Sequence, residues 1–198
     1  MLFPPISVLM KYRSALLHAA LAILLFLPVP AKATEAGWAL LREGGQVVLV
    51  NEAYSLATGR HASEDVENCR TQQTLSDRGR QQAGKMGALF YARSAPVELV
   101  LTSKHCRAQE TASIAFRDSK IEVFEPLNEL SADEELQAHQ IEATISRIQE
   151  YGGSGNLIMV SHPSNIAALT GVTPRPGEAI VVMPGDDKLT IAARITFN

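Results

Sequence analysis

Three short, nearly continuous apolar runs constrain what this chain can fold into: Gln46-Val47-Val48-Leu49-Val50, Val97 to Thr102, and Leu157-Ile158-Met159-Val160. A strand that is apolar on both faces needs cover on both, which favours a sheet held between two layers of helices. Helical patterns fall between the runs. Trp38 to Glu43 reads as a short helix broken by Gly44-Gly45, and a second helix opens at Leu75-Ser76-Asp77-Arg78-Gly79. There Ser76 is the N-cap, and Ala83, Met86, Leu89 and Phe90 follow at helical spacing. Arg107 to Phe116 suits a helix, Ile121 to Phe124 a short strand, and Glu134 to Tyr151 a longer helix with Leu136, Ile141, Ile145 and Ile148 on one side. Gly152-Gly153 stops that helix, and Ile166 to Leu169 suggests another after the third run. Ile180 to Met183 and Leu189 to Ile195, joined through Pro184-Gly185-Asp186-Asp187, read as a terminal hairpin. The alternation predicts an α/β fold, a three-layer sandwich with a mostly parallel central sheet and helices on both faces. Ligands are then expected beyond the carboxyl ends of the strands.

The first thirty-odd residues differ from the rest. Lys11 and Arg13 precede an apolar run from Ala15 to Pro30, and Ala31-Lys32-Ala33 follows as a small-x-small triplet. The run is shorter than the roughly 20 residues a membrane-spanning helix needs, so it reads as a signal peptide cleaved after Ala33, with Met10 an alternative start to Met1. Residues 1–33 are then a leader and 34–198 one domain, exported to the periplasm or beyond the cell, with no stable membrane span after cleavage. Of the 198 residues 46% are hydrophobic and 20% charged, with a formal charge of -3, which excludes a disordered chain and gives no basic excess for nucleic acid. Export permits a disulfide between the two cysteines, Cys69 and Cys106, while free thiols remain the other reading. No histidines stand near them in zinc spacing, so neither a metal nor another cofactor is expected.

The polar residues just after each strand come next: Asn51-Glu52-Ala53-Tyr54-Ser55, Ser103-Lys104-His105-Cys106-Arg107, and Ser161-His162-Pro163-Ser164-Asn165. Three such loops converge on one cleft. Arg107 at a helix start places a guanidinium beside free backbone N–H groups, an anion site, and His162 directly after a buried strand suits acid–base work or phosphate contact.

Leu75-Ser76-Asp77-Arg78-Gly79-Arg80-Gln81-Gln82-Ala83, then Ser103 through Arg107 to Thr111-Ala112, then Val160-Ser161-His162 with Asn165, Leu169, Thr170 and Gly171, are three ordered motifs. Together they resemble the histidine phosphatase superfamily, in the branch that includes the phosphoglycerate mutases. The resemblance runs from about Gly45 to the C-terminus. It implies a mechanism in which a histidine after the first strand attacks phosphorus. Two arginines and a second histidine hold the phosphoryl oxygens, and a carboxylic acid after the short middle strand protonates the leaving group. On that pattern Arg107 and His162 are phosphate-binding and His162 catalytic, and Glu129 is the candidate acid, with Asp133 next. The departure lies after the first strand, where Asn51 stands in place of the phosphate-binding arginine and Glu52 in place of the nucleophile.

That doublet removes a positive charge and adds a negative one. Unit charges about 4 Å apart interact by several kcal/mol in a partly buried site, so Glu52 repels a phosphate dianion, or else pairs with Arg107 and fills the pocket from within. The leading expectation is a catalytically impaired pseudophosphatase of the cell envelope. A second is an active phosphomonoesterase acting on a phosphorylated small molecule or envelope component, with Glu52 or a water it activates attacking while Arg107 and His162 clamp the phosphoryl group. A third is a ligand- or protein-binding module that uses the cleft without phosphate.

Overall fold

The structure is a computed structural model that describes residues 33–56, 66, 68–185 and 189–197. Nearly all of the expected leader, part of the polar loop after the first strand, and the tip of the terminal hairpin lie outside the described residues. In chain order the elements are α1 (Ala33–Glu43), β1 (Val47–Asn51), α2 (Asp77–Ala92), β2 (Val97–Thr102), α3 (Cys106–Ala115) and β3 (Lys120–Val123). A single 3-10 turn (Glu125–Leu127) leads to α4 (Glu134–Gln149), β4 (Asn156–Ser161), α5 (Pro163–Thr170), β5 (Ala179–Met183) and β6 (Thr190–Ile195).

The strands form one sheet in the order β3-β2-β4-β1-β5-β6. The first four are mutually parallel, and β5 and β6 add antiparallel pairs at the far side. This is the mostly parallel α/β architecture expected from the apolar runs. Because β4 inserts between β1 and β2, the loops that leave these three strands emerge side by side at their carboxyl ends.

Alternate strand residues feed two cores. Val48, Val50, Val100, Ile158, Val160 and Val181 face α1, α2 and α3, where Trp38, Phe90, Phe116 and Phe197 pack edge-on or stacked. Val47, Leu49, Leu101, Leu157, Met159, Ile180 and Val182 face the other way, against Ile148 of α4 and Ile166 and Leu169 of α5. Fully burying a side chain of this size contributes about 1.5–3 kcal/mol, so both faces of the sheet hold the layers together. No helix among the described residues is long and apolar enough to cross a membrane.

Local signals explain most of the boundaries. Ser76 caps α2 by accepting the Gly79 N–H at 3.1 Å. Gly79 itself must be glycine, since a Cβ there would fall 1.9 Å from the Tyr54 carbonyl oxygen. That close approach, with Ser76 N and Oγ both donating to Tyr54 O, pins the chain just beyond β1 to the start of α2.

Three expectations needed adjusting. Helix α1 starts five residues before Trp38. Helix α5 starts at Pro163 rather than Ile166, because proline at the first helical position gives up only an N–H that has no partner there anyway. Leu136 does not share the buried side of α4: it is 58% exposed, while Ile148 is buried and Ile141 and Ile145 pack against the core. Residues 141, 145 and 148 make one stripe at 3.6 residues per turn, and a residue five before 141 falls well off it.

Candidate active site

The three strand-end loops meet around one carboxylate. Glu52, one residue past β1, accepts a hydrogen bond from Arg107 Nε at 2.7 Å through one oxygen and lies 2.6 Å from His162 Nδ1 through the other. The second contact is a hydrogen bond when Nδ1 carries the proton. Arg107 also donates through a terminal nitrogen to Glu129, at the outer edge of the site. Arg107 is 5% exposed and His162 not at all, whereas Glu129 is 53% exposed. One buried guanidinium is therefore shared between an inner carboxylate and an outer one.

Behind His162 lies a further set of polar groups. Ser103 Oγ is 2.8 Å from His162 Nε2, 3.1 Å from His105 Nδ1 and 3.2 Å from Asn128 Oδ1. With Nδ1 donating to Glu52, a neutral His162 accepts the Ser103 hydroxyl at Nε2. A doubly protonated His162 donates to Ser103 instead, and the hydroxyl turns to Asn128. The serine satisfies both charge states of the imidazole. In the first state the group Glu52, Glu129, Arg107 and His162 sums to one negative charge, in the second to zero, so neither leaves positive charge over for an anion.

Burial alone would raise the Glu52 carboxyl, but hydrogen bonding and charge from His162, and then from Arg107, outweigh it and hold the group below the usual carboxylate range. Burial, followed by charge at His162 and Arg107, pushes the His105 imidazole down to about 4, despite an opposing pull from Glu129 and Glu52. His105 is thus neutral near pH 7, its ring edge-on to His162 with centroids 4.6 Å apart.

The backbone is tied together by the same motif residues. Thr111 Oγ1 donates to the Arg107 carbonyl at 2.8 Å and accepts the Ala53 N–H at 3.1 Å, which joins α3 to the loop after β1. Asn165 Nδ2 donates to Asn128 O at 2.7 Å, which joins α5 to the loop that carries Glu129. Cys106, the first residue of α3, forms a disulfide with Cys69, with the α-carbons 5.6 Å apart, so the pairing left open by sequence is made. Asp133 is N-cap of α4, where it accepts from Glu135 N and Leu136 N, a structural position rather than one in the cluster.

The sequence therefore pointed to four residues that the fold brings together: Glu52, Arg107, Glu129 and His162. Asn51 is adjacent but turned to another use, its amide donating to the Arg175 carbonyl at 2.9 Å. Ser103, His105 and Asn128 were not singled out as site residues. The first two stand in the loop after β2, where strand-end position was the available signal. Asn128 has no signal of its own, because its role depends on where the 3-10 turn ends.

The model of the histidine phosphatase superfamily (branch 1) matches residues 59–151. That span includes Arg107 and Glu129 but begins after Glu52 and ends before His162. No curated protein matches the chain. Among solved structures, an alpha-ribazole phosphatase from Shigella flexneri is 18% identical, covering 77% of this chain and 96% of its own, with a TM-score of 0.57. A phosphoserine phosphatase from Entamoeba histolytica, in complex with 3-phosphoglyceric acid, is 12% identical, covering 75% and 95%, with a TM-score of 0.54. The protein histidine phosphatase SixA, complexed with tungstate, is 18% identical, covering 76% and 96%, with a TM-score of 0.51. At these identities the likeness is one of fold.

Proposed function

We propose that this chain is an exported member of the histidine phosphatase superfamily in which a carboxylate has taken the place of the phosphate, leaving a cell-envelope binding protein with negligible phosphomonoesterase activity. One observation carries the reading: the Glu52 carboxylate accepts from Arg107 Nε at 2.7 Å and lies 2.6 Å from His162 Nδ1. These are the groups that would otherwise hold phosphoryl oxygens; here Arg107 Nε and a protonated His162 Nδ1 face Glu52, and an Arg107 terminal nitrogen goes to Glu129. A phosphate entering there would have to displace the carboxylate and then sit beside it. At about 4 Å two unit charges repel by about 4 kcal/mol at an effective dielectric near 20, and a dianion meets more than that. Glu52 as a nucleophile faces the same repulsion, with Arg107 committed to it and to Glu129.

The test compares the native protein with the double variant Asn51→Arg, Glu52→His. The native protein is expected to be inert toward p-nitrophenyl phosphate and to leave tungstate unbound. The variant regains an arginine and a histidine at the strand end, and is expected to bind tungstate and to release p-nitrophenol at least about 100-fold faster than the native protein. Robust hydrolysis by the native protein that disappears in Glu52→Gln would overturn the proposal in favour of a carboxylate mechanism. Export is tested separately by N-terminal sequencing of the envelope fraction, where Thr34 is the expected first residue.

A further inference from the structure

Outside the ion-paired cluster, but sharing a wall with it, lies an open cleft of about 590 Å³ between the loop after β3 and the first turns of α4. This is within the size range of a site for a small organic ligand. Its apolar lining includes Pro126, Leu136 and Ala143, and Leu136, at 58% exposed, is one of few large apolar side chains left open to solvent among the described residues. Its charged lining is Glu125 and Glu129, and two imidazoles also line it, His139 and His105, the latter neutral near pH 7. No lysine or arginine lines it among the described residues. The buried cation beneath, Arg107, faces two carboxylates, Glu52 and Glu129.

A cleft with an apolar floor, carboxylates at its rim and a self-neutralised cation underneath has the wrong sign for a phosphate ester. We infer that it takes the opposite ligand: a small organic cation, an ammonium carried on an aliphatic body. The head sits between Glu125 and Glu129 and the tail lies against Pro126, Leu136 and Ala143. The inference rests on the reading that Glu52 fills the anion pocket, since an empty pocket would restore positive charge at the cleft's inner wall. Each methylene buried against Leu136 and its neighbours strengthens binding by about fourfold whatever the head, so the tail supplies affinity and the carboxylates choose the charge.

The experiment holds the tail constant and varies the head. Octylammonium and octyl phosphate are titrated into the purified protein by calorimetry at about pH 8, where imidazole charge does not enter. Octylammonium is expected to bind at least about 10-fold more tightly than octyl phosphate. Glu125→Gln is expected to weaken octylammonium roughly three- to tenfold, and Leu136→Ser to weaken both ligands by a similar factor, both variants keeping native circular dichroism because both side chains are exposed. Equal or tighter binding of octyl phosphate, no saturable binding of octylammonium, or octylammonium binding indifferent to Glu125→Gln would each overturn the assignment. The two readings fail separately. A protein inert toward p-nitrophenyl phosphate that prefers octyl phosphate keeps the filled pocket and loses the cationic cleft. One that hydrolyses p-nitrophenyl phosphate yet prefers octylammonium does the reverse.

Discussion

Glu52 and Glu178 are both shielded carboxylates that accept from an arginine Nε at 2.7 Å, yet their surroundings differ in kind. At Glu178 both oxygens are taken by groups of the β5–β6 region. Arg194 forks onto them at 2.7 and 2.9 Å, and the Arg175 backbone N–H donates at 2.8 Å. This is a brace: Arg194 is 40% exposed, reaches in from the adjacent strand and makes a fork–fork pair. At Glu52 the partners come from two other strand-end loops, one of them is a histidine, and the arginine is shared with a second carboxylate. The first pair closes a hairpin, and the second draws three strand-end loops around one side chain. The same pairing of residue types thus says little until one asks how far apart in the chain the partners start.

Removing the arginine from each pair is the sharpest way to break this comparison. Arg107→Leu leaves Glu52 buried with only His162 to answer it, and should cost about 3–5 kcal/mol of unfolding free energy near neutral pH. Arg194→Leu should cost only about 1–2 kcal/mol, because Glu178 keeps its backbone donor and the vacated rim admits water. Urea denaturation of both variants decides the matter, and equal losses would mean that Glu52–Arg107 is a brace as well.

The cross-link sharpens the contrast in another way, because it lies on the Glu52 side alone. Cys69 and Cys106 are 37 residues apart in sequence, and closing a loop of that length contributes roughly 4 kcal/mol in the chain-entropy model. Replacing both with serine should lower stability by about that amount. It should also speed amide exchange in the first turn of α3, beside Arg107, while leaving β5 and β6 unchanged relative to the global rate.

A more gradual effect concerns pH. His105 titrates near 4 in the folded protein against 6.5 for an ordinary histidine, so the unfolded chain binds more protons between those values. Stability should therefore fall as pH drops through that window, by up to roughly 3 kcal/mol, and His105→Gln should flatten the slope. Glu52 acts in the same direction but lower: its carboxyl is held below 4.5, so its contribution is present above that value and is lost only as pH falls beneath it. Neutral pH should be without effect on either.

Strand positions, the Ser76 cap and the three-layer arrangement were legible because each rests on local pattern. Short apolar runs, a period of 3.6 and a serine before a helix are read within a dozen residues. Leu136 was misplaced for the converse reason, since a residue counted with a stripe it does not share can be corrected only when the sheet beneath the helix is known. At the site, Glu52, Arg107 and His162 could be named because each lies within two residues of a strand or helix end. Sequence left two outcomes for Glu52, repulsion of phosphate or capture of Arg107, because choosing needs a distance. Asn51 shows the limit most clearly. On the family resemblance it stands at an arginine's place, but its shorter amide finds the Arg175 carbonyl, 124 residues away, in a loop without a pattern to announce it.

Glu52 is also a ligand that can never diffuse away. It is carried on the first residue past a buried strand, whose N–H is bonded to Ser161 O at 3.0 Å and whose carbonyl accepts from Gly177 N at 2.9 Å. A group held that rigidly against its partners has an effective concentration on the order of molar or far above. Free phosphate near 1 mM would start about a thousandfold behind it, some 4 kcal/mol at equal intrinsic affinity. On the proposed reading a single side chain would set the occupancy of the pocket, and solution conditions that flood an ordinary phosphate site would leave this one full of itself.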